Sequence, residues 1–412
     1  MRKCFYAFIC IVLSAAMVLS MTSCSLRISA ESLSDGYVRK ADAGGEVTEE
    51  FRTAMADFSL TLFKGLVTDD DKNDLISPLS AVICLAMIAN GADGNTKTQM
   101  EAAFGMDTDT LNECLYAYTS SLYTADDCKF NLADSIWFRD DGSLHINEAF
   151  LQTNADWYNS QVYAAPFDMT TVSDINEWCK SHTDGMIDKI LDNIDGNAVM
   201  YLINALTFDA KWAEKYEDSD ISERVFTNHD GTKKKVKMLT SDENTFISAD
   251  GVKGFAKDYS GGKYSIVALL PDEGKDIYEY IATLDGNAWT SLWNSRRSEN
   301  VSVKMPEFTY SSHMKLKEVL MTMGMTDMFS ASADFSKMGR SDIGNIYCST
   351  VEQKVFIQVD RNGTKAAAVS WGGMNGAGVS LINEVILDRP FVYAIVDNNT
   401  GLPLFIGAVS TL

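Results

Sequence analysis

The stretch "DRNGTKAAAVSWGGMNGAGVSLINEVILDRPF", Asp360 to Phe391, decides the reading of this chain. It lies between two strand-like runs, "KVFIQV" at 354–359 and "PFVYAIV" at 390–396, and its middle is almost all Gly, Ala, Ser and Val. In an extended strand, alternate side chains point to opposite faces. From Thr364 onward one face carries Thr364, Ala366, Ala368, Ser370, Gly372, Met374 and Gly376; none is charged and all but Met374 are small. The other face carries Lys365, Ala367, Val369, Trp371, Gly373 and Asn375, so the one charge and the bulkiest side chain fall together. A small, uncharged face can be buried between two strands without stranding a charge. A flexible Gly- and Ala-rich surface loop would explain the composition but not this segregation.

Working outward, the run before the stretch places Val355, Ile357 and Val359 on one strand face. The run after it, "FVYAIVDNNTGLPLFIGAVS", reads as a hairpin closing through "NNTG". Upstream, "YSIVALLPDE", "VSVKMPEFTY", "AVMYLINALTFDAKW", "QVYAAPFD" and "FNLADSIWFRD" read as strands. Helices are expected in "NEAFLQTNADWYNS", "SDINEWCKSHTDGMIDKIL" and "LKEVLMTMGM". Phe51, Met55, Phe58, Leu62 and Leu66 recur at helical spacing after a capping Thr48. "SPLSAVICLAMIANGADGNTKTQMEAAFG" gives a buried helix, a turn and a second helix. Helices early and strands late, mixed between, indicate an α+β fold.

The 412 residues, 46% of them hydrophobic, are ample for a large core. Residues 1–23 carry Arg2 and Lys3, an apolar run and then small residues before Cys24, which reads as an export signal. The Cys after "MTS" resembles the lipobox of bacterial lipoproteins, which implies lipidation of Cys24 and a tether to a membrane outer face; ordinary secretion is the alternative. Residues 24–47 lack apolar periodicity and read as a flexible spacer, leaving 48–412 as the folded domain. Beyond Cys24, Cys84, Cys114, Cys128, Cys179 and Cys348 are odd in number and form no CxxC pair, so they read as small core residues. A net charge of -22 argues against nucleic-acid and heparin partners, and the run Lys233–Lys235 after "HDG" reads as a solvated hairpin.

No GxSxG elbow, HExxH or Walker-type loop occurs. His145, His182, His229 and His313 have no neighbours at metal-ligand spacing, and the SxxK of Ser312–Lys315 lacks the partner motifs of its hydrolase class. No catalytic residue, metal ligand or cofactor site is assigned.

"VDRNGTKAAAVS" resembles the hinge of a serpin's reactive-centre loop, in which Gly, then Thr or Ser, leads a run of small residues: here Gly363, Thr364, Ala366, Ala367 and Ala368. "NDLISPLSAVICLAMIANGADGNTKTQM" is similar to the family's helix-B region, with Ser77 and Ser80 at the shutter serines. "YLINALTFDAKW" resembles the third strand of the main sheet, with Asn204 at the shutter and Trp212 at the breach. "YSIVALLPDE", "VKMPEFTY", "MGMTDMFSASADFS" and "RPFVYAIVDNNTGLPLFIGAVS" match further segments in order, from about residue 48 to the C-terminus. The resemblance implies a serpin fold of three β-sheets, about eight or nine helices and an exposed reactive-centre loop. It implies a suicide inhibitor of serine proteases, not an enzyme, with the protease held as a covalent complex and no cofactor. A monomer is expected, and a non-inhibitory binding protein of the same fold or a plain protease substrate is the alternative.

Three positions depart from the family pattern. Arg361 and Lys365 stand where Glu is frequent, and Gln353 stands at the shutter His position. Arg361 puts the usual salt bridge at the top of the main sheet in question. Gln353 keeps hydrogen-bonding capacity but cannot titrate, so the shutter is expected to lack pH sensitivity. Counting from the hinge, the resemblance places the reactive bond at Ala377–Gly378; counting back from Pro390 it gives Val379–Ser380, with Gly378–Val379 between. All these residues are small and uncharged, which suits a shallow elastase-like pocket or a subtilisin-like one, with cysteine proteases left open.

Overall fold

The computed structural model describes residues 28–39, 45–68, 72–122, 127–195, 198–364 and 383–412. Nine α-helices are found among them. Helix α1 (Glu49–Leu66) begins where Thr48 Oγ1 accepts from the Phe51 amide, and Glu49 and Glu50 in its first turn complement the helix dipole. Helix α2 (Pro78–Ala89) is capped by Ser77, has Pro78 in its first turn, and is buried along its whole length. The others are α3 (Gly94–Phe104), α4 (Thr108–Ser121), α5 (Glu148–Tyr158), α6 (Met169–His182), α7 (Ile277–Thr283), α8 (Gly286–Asn294) and α9 (Lys317–Thr322).

Three sheets carry the fold. The largest has seven strands in the order β1 (Glu31–Ser32), β5 (Gln161–Ala165), β3 (Cys128–Arg139), β6 (Met200–Lys211), β16 (Gly363–Thr364), β15 (Thr350–Asp360) and β13 (Phe308–Lys315). The second has six: β2 (Asp74–Ile76), β19 (Pro403–Val409), β18 (Phe391–Asp397), β11 (Tyr264–Pro271), β10 (Val252–Asp258) and β9 (Phe246–Ala249). The third has four: β17 (Asn383–Ile386), β12 (Val301–Pro306), β8 (Lys233–Glu243) and β7 (Ile221–Thr227). A short ribbon pairs β14 (Gly339–Ser341) with β4 (Leu144–Ile146).

The main core lies between the seven- and six-stranded sheets, where α2 packs on β19, β6 and β3. A second cluster covers the other face of the seven-stranded sheet: Val172, Ile175 and Trp178 of α6 lie against Trp137, Tyr201 and Ile203. The five domain cysteines are all buried. The expected hairpin at "NNTG" forms as β18–β19, and "HDG" turns β7 into β8.

Three sequence expectations are corrected. The helix expected through Leu191 ends at His182, because Asp184 and Gly185 take positive φ and break it. "VSVKMPEFTY" is not one strand: β12 ends at Pro306, which cannot donate to a ladder, and β13 restarts in a different sheet. The spacer expected over 24–47 does not hold for residues 28–39. There β1 adds antiparallel to β5, Asp174 accepts from the Ser29 hydroxyl and the Ala30 amide, and the Arg39 guanidinium lies 4.4 Å from the Tyr116 ring centre. Ile28 and Ala30 pack on the second cluster and Leu33 and Tyr37 on the main core, a handful of apolar contacts beside the edge pairing and polar bonds. Residues 1–27 and 40–44, Cys24 among them, lie outside the described residues.

Candidate functional site: a slot in the main sheet

The seven-stranded sheet divides at its centre. Strands β6 and β15 pair directly, in parallel, only from Tyr201–Leu206 to Thr350–Val355. At the far end β16 is wedged between them: Gly363 and Thr364 pair with Lys211 and Ala210 on one side and with Asp360 and Val359 on the other. Between these paired regions Thr207–Asp209 and Phe356–Gln358 are joined by no rung. The sheet is zipped at one end and propped apart at the other.

The wedge is fixed by its residues. A Cβ on Gly363 would sit 2.1 Å from the Ala210 carbonyl oxygen, so only glycine permits that approach. Thr364 is 2% exposed, and its hydroxyl shares a 2.7 Å hydrogen bond with that of Tyr259. Burial pushes the Tyr259 phenol well up, so it stays protonated and available as a donor. Trp212 stacks on Tyr259 with ring centres 4.6 Å apart, donates its indole N–H to the Asp360 carbonyl at 2.8 Å, and gives its amide to Asn362. Beside it Lys257, 3% exposed, bonds Glu243 at 2.8 Å and lies 4.7 Å from the Tyr216 ring centre. The questioned salt bridge is replaced: Arg361 pairs with Asp218 on the segment that follows β6.

At the zipped end a polar row crosses three strands. Asp134 of β3 is the register partner of Asn204 of β6, and Asn204 that of Gln353 of β15. Gln353 Nε2 donates to the Ser77 carbonyl at 2.9 Å and to Asn204 Oδ1 at 3.2 Å, while its Oε1 accepts from the Ser77 amide at 2.9 Å. Asn204 Nδ2 donates to the Ser80 carbonyl at 2.9 Å and to Asp134 Oδ1. Ser77 Oγ caps α2 and donates to the Leu404 carbonyl at 2.7 Å. Ser80 Oγ is buried without a partner, which costs about 1–3 kcal/mol. One side-chain bond, Gln353 to Asn204, spans the line along which β6 and β15 would part.

Thus Gly363, Thr364, Trp212, Ser77, Ser80, Asn204 and Gln353, named from sequence, gather along one slot. Ala366, Ala367, Ala368, Ala377, Gly378, Val379 and Ser380 lie outside the described residues. Sequence reasoning missed Tyr259, Lys257, Glu243 and Asp134. A signal existed for Asp134: it shares a strand face with Leu132, Ile136 and Phe138, an acid in an apolar row.

Comparison with known proteins agrees with this geometry. The family model described as serpin (serine protease inhibitor) matches residues 53–412. Human neuroserpin is 28% identical over 376 residues, covering 86% of this chain and 90% of that protein. The leukocyte elastase inhibitor of Sus scrofa is 28% identical over 381 residues, covering 88% of this chain and all of that one. Among solved structures, the thermophilic serpin tengpin in its native state is 45% identical, with a TM-score of 0.90 over 93% of this chain and 100% of that one. The same protein in its latent state gives a TM-score of 0.80 at 44% identity, over 90% of this chain and 100% of that one. With the family model spanning the whole slot-bearing domain, the chain belongs to the serpin family.

Proposed function

We propose that the chain inhibits serine proteases by offering the segment between Thr364 and Asn383 as bait and, once cut, drawing the strand that starts at Thr364 into the slot. The protease serine Oγ attacks the Ala377 carbonyl, the Ala377–Gly378 amide bond breaks, and the Gly378 amine leaves. An ester then links Ala377 to the protease. Gly378–Val379 and Val379–Ser380 are the alternative bonds. Displacing a catalytic triad by about 1 Å is enough to stop deacylation.

The observation that carries this reading is the two-residue wedge, because its register can be extended. Ala366 would fall between Phe208 and Ile357, Ala368 between Leu206 and Val355, and Ser370 between Asn204 and Gln353. These are the small residues of the uncharged face, meeting the core side of the sheet. Ser370 would bring a hydroxyl to the polar row as the Gln353–Asn204 bond gives way. On the opposite face Lys365 would lie beside Asp209, and Trp371 between Ile203 and Glu352. That face is covered too: Ile203 belongs to the cluster beneath α6.

Small residues at the reactive bond and the likeness to a leukocyte elastase inhibitor support an elastase-like or subtilisin-like target. The stretch 1–24 supports export, with Cys24 as a lipid tether or with release from the cell. Among the described residues no helix is long and apolar enough to cross a membrane. The test is incubation of the full chain with an elastase. An SDS-stable adduct with the mass of both proteins is expected. Clipping without an adduct overturns inhibition and favours a plain protease substrate.

A further inference from the structure

The polar row ends on a titratable group. Asp134 lies on the side of β6 away from β15 and lines a cavity of about 240 Å³ bordered by α4, α5, α6 and Arg39. It is half-buried. Its described side-chain bond is the one it accepts from Asn204 Nδ2. Asn204 has one amide, and the two sides of β6 need opposite ends of it. An ionised carboxylate only accepts, so it draws Nδ2 toward itself and leaves Oδ1 facing Gln353 Nε2. A protonated carboxyl can also donate, so it is satisfied by either orientation of Asn204, and the Ser80 carbonyl, 2.9 Å from Nδ2, is then the one acceptor left to hold the amide. In the reversed orientation Asn204 and Gln353 would present N–H to N–H.

We propose that Asp134 is a positioning residue of the strand clamp: together with the Ser80 carbonyl its carboxylate holds Asn204 in the orientation that accepts from Gln353, and its protonation loosens the bond across which β6 and β15 part. Burial pushes the Asp134 carboxyl up to about 7, opposed by the bond from Asn204. Clamp strength therefore changes near neutral pH although Gln353 itself does not titrate.

The other groups around Asp134 leave it as the titrating member. Cys84 of α2 and Tyr158 of α5 interact with it electrostatically, and burial holds both well above their ordinary range, so both stay neutral. Arg39, from the N-terminal segment, lines the cavity as a permanent cation. His182 of α6 lines it too, stacked on Trp178 with ring centres 4.5 Å apart. An imidazole is the other side-chain type here that changes charge near neutrality, so it must be separated by experiment. The line along which β6 and β15 part lies on the far side of Asn204 from Asp134, and the bond from Asn204 to Gln353 crosses it.

The inference rests on the insertion reading, and the test separates the two. An acetylated peptide of residues 364–377 contains no Asp, Glu or His and does not titrate between pH 5.5 and 8.5. Its rate of incorporation into the intact full chain, followed by native-gel shift, reports opening of the sheet. The expected rate rises about fivefold on acidification with a midpoint near 7; charge assistance roughly doubles a hydrogen bond, and about 1 kcal/mol is about fivefold in rate. Asp134→Asn is expected to be fast at every pH, and His182→Gln to keep the wild-type profile. A flat wild-type profile, an Asp134→Asn profile that still responds to pH, or a response abolished by His182→Gln overturns the role of Asp134. If D134N does not fold, the wild-type and H182Q profiles still decide the question. A peptide that enters at no pH overturns insertion itself, and the clamp role with it.

Discussion

Cutting the loop should stabilise this protein, and the slot sets the scale. After cleavage at Ala377–Gly378 the strand from Lys365 to Gly376 is free to continue β16. Its first three residues would meet Thr207–Asp209 and Phe356–Gln358, which no rung joins to each other among the described residues; the rest must replace the direct β6–β15 pairing. About a dozen inserted residues bring roughly two dozen backbone bonds, less about six that β6 and β15 give up. At about 1 kcal/mol each this is roughly 18 kcal/mol. Burying Trp371, Val369, Met374 and the alanines adds roughly 8–10 kcal/mol. Ordering the segment opposes this by roughly 18 kcal/mol. The balance is about 10 kcal/mol. With an unfolding entropy of about 2.1 cal/mol/K per residue over the matched domain, that raises Tm by roughly 10–15 °C. The assay is calorimetry of intact and nicked protein, with the nick located by mass spectrometry. A sample cut within 365–382 whose Tm is unchanged refutes the reasoning, because the released strand then has not entered the sheet.

Two further outcomes follow from the wedge. Thr364→Arg places a guanidinium where a 2%-exposed hydroxyl now meets Tyr259, a burial that costs several kcal/mol; the variant should fold, be cut by elastase, form no stable adduct and show no Tm rise on nicking, and wild-type adduct yield would refute this. Arg361→Ala should cost under about 1 kcal/mol in urea denaturation, since Asp218 is 91% exposed, whereas Trp212→Ala, which removes a buried stack and the bond to Asp360, should cost about 3–5 kcal/mol; equal losses would show that the surface pair, not the indole, holds the hinge turn.

Much of the site was legible because its determinants are local. The alternation after Thr364 and the buried helix opening at "SPLSAVICLAM" follow from strand period and an unbroken apolar run, each a property of a few consecutive residues. The resemblance then placed Ser77, Ser80, Asn204, Trp212 and Gln353 without any structure. The docking of residues 28–39 escaped notice because edge pairing to β5 leaves no periodic apolar signal.

By itself the sequence determined that a strand-competent segment with one buriable face lies next to two long apolar strands. Only the tertiary structure decided that Gly363 and Thr364 enter between β6 and β15, and that Arg361 turns to Asp218. It also decided that Gln353, Asn204 and Asp134, distant in sequence, form one row. The physical reason is that residue type and spacing fix what a backbone segment can form, whereas register, partner and the charge state of a buried carboxyl are fixed by neighbours that chain order does not reveal.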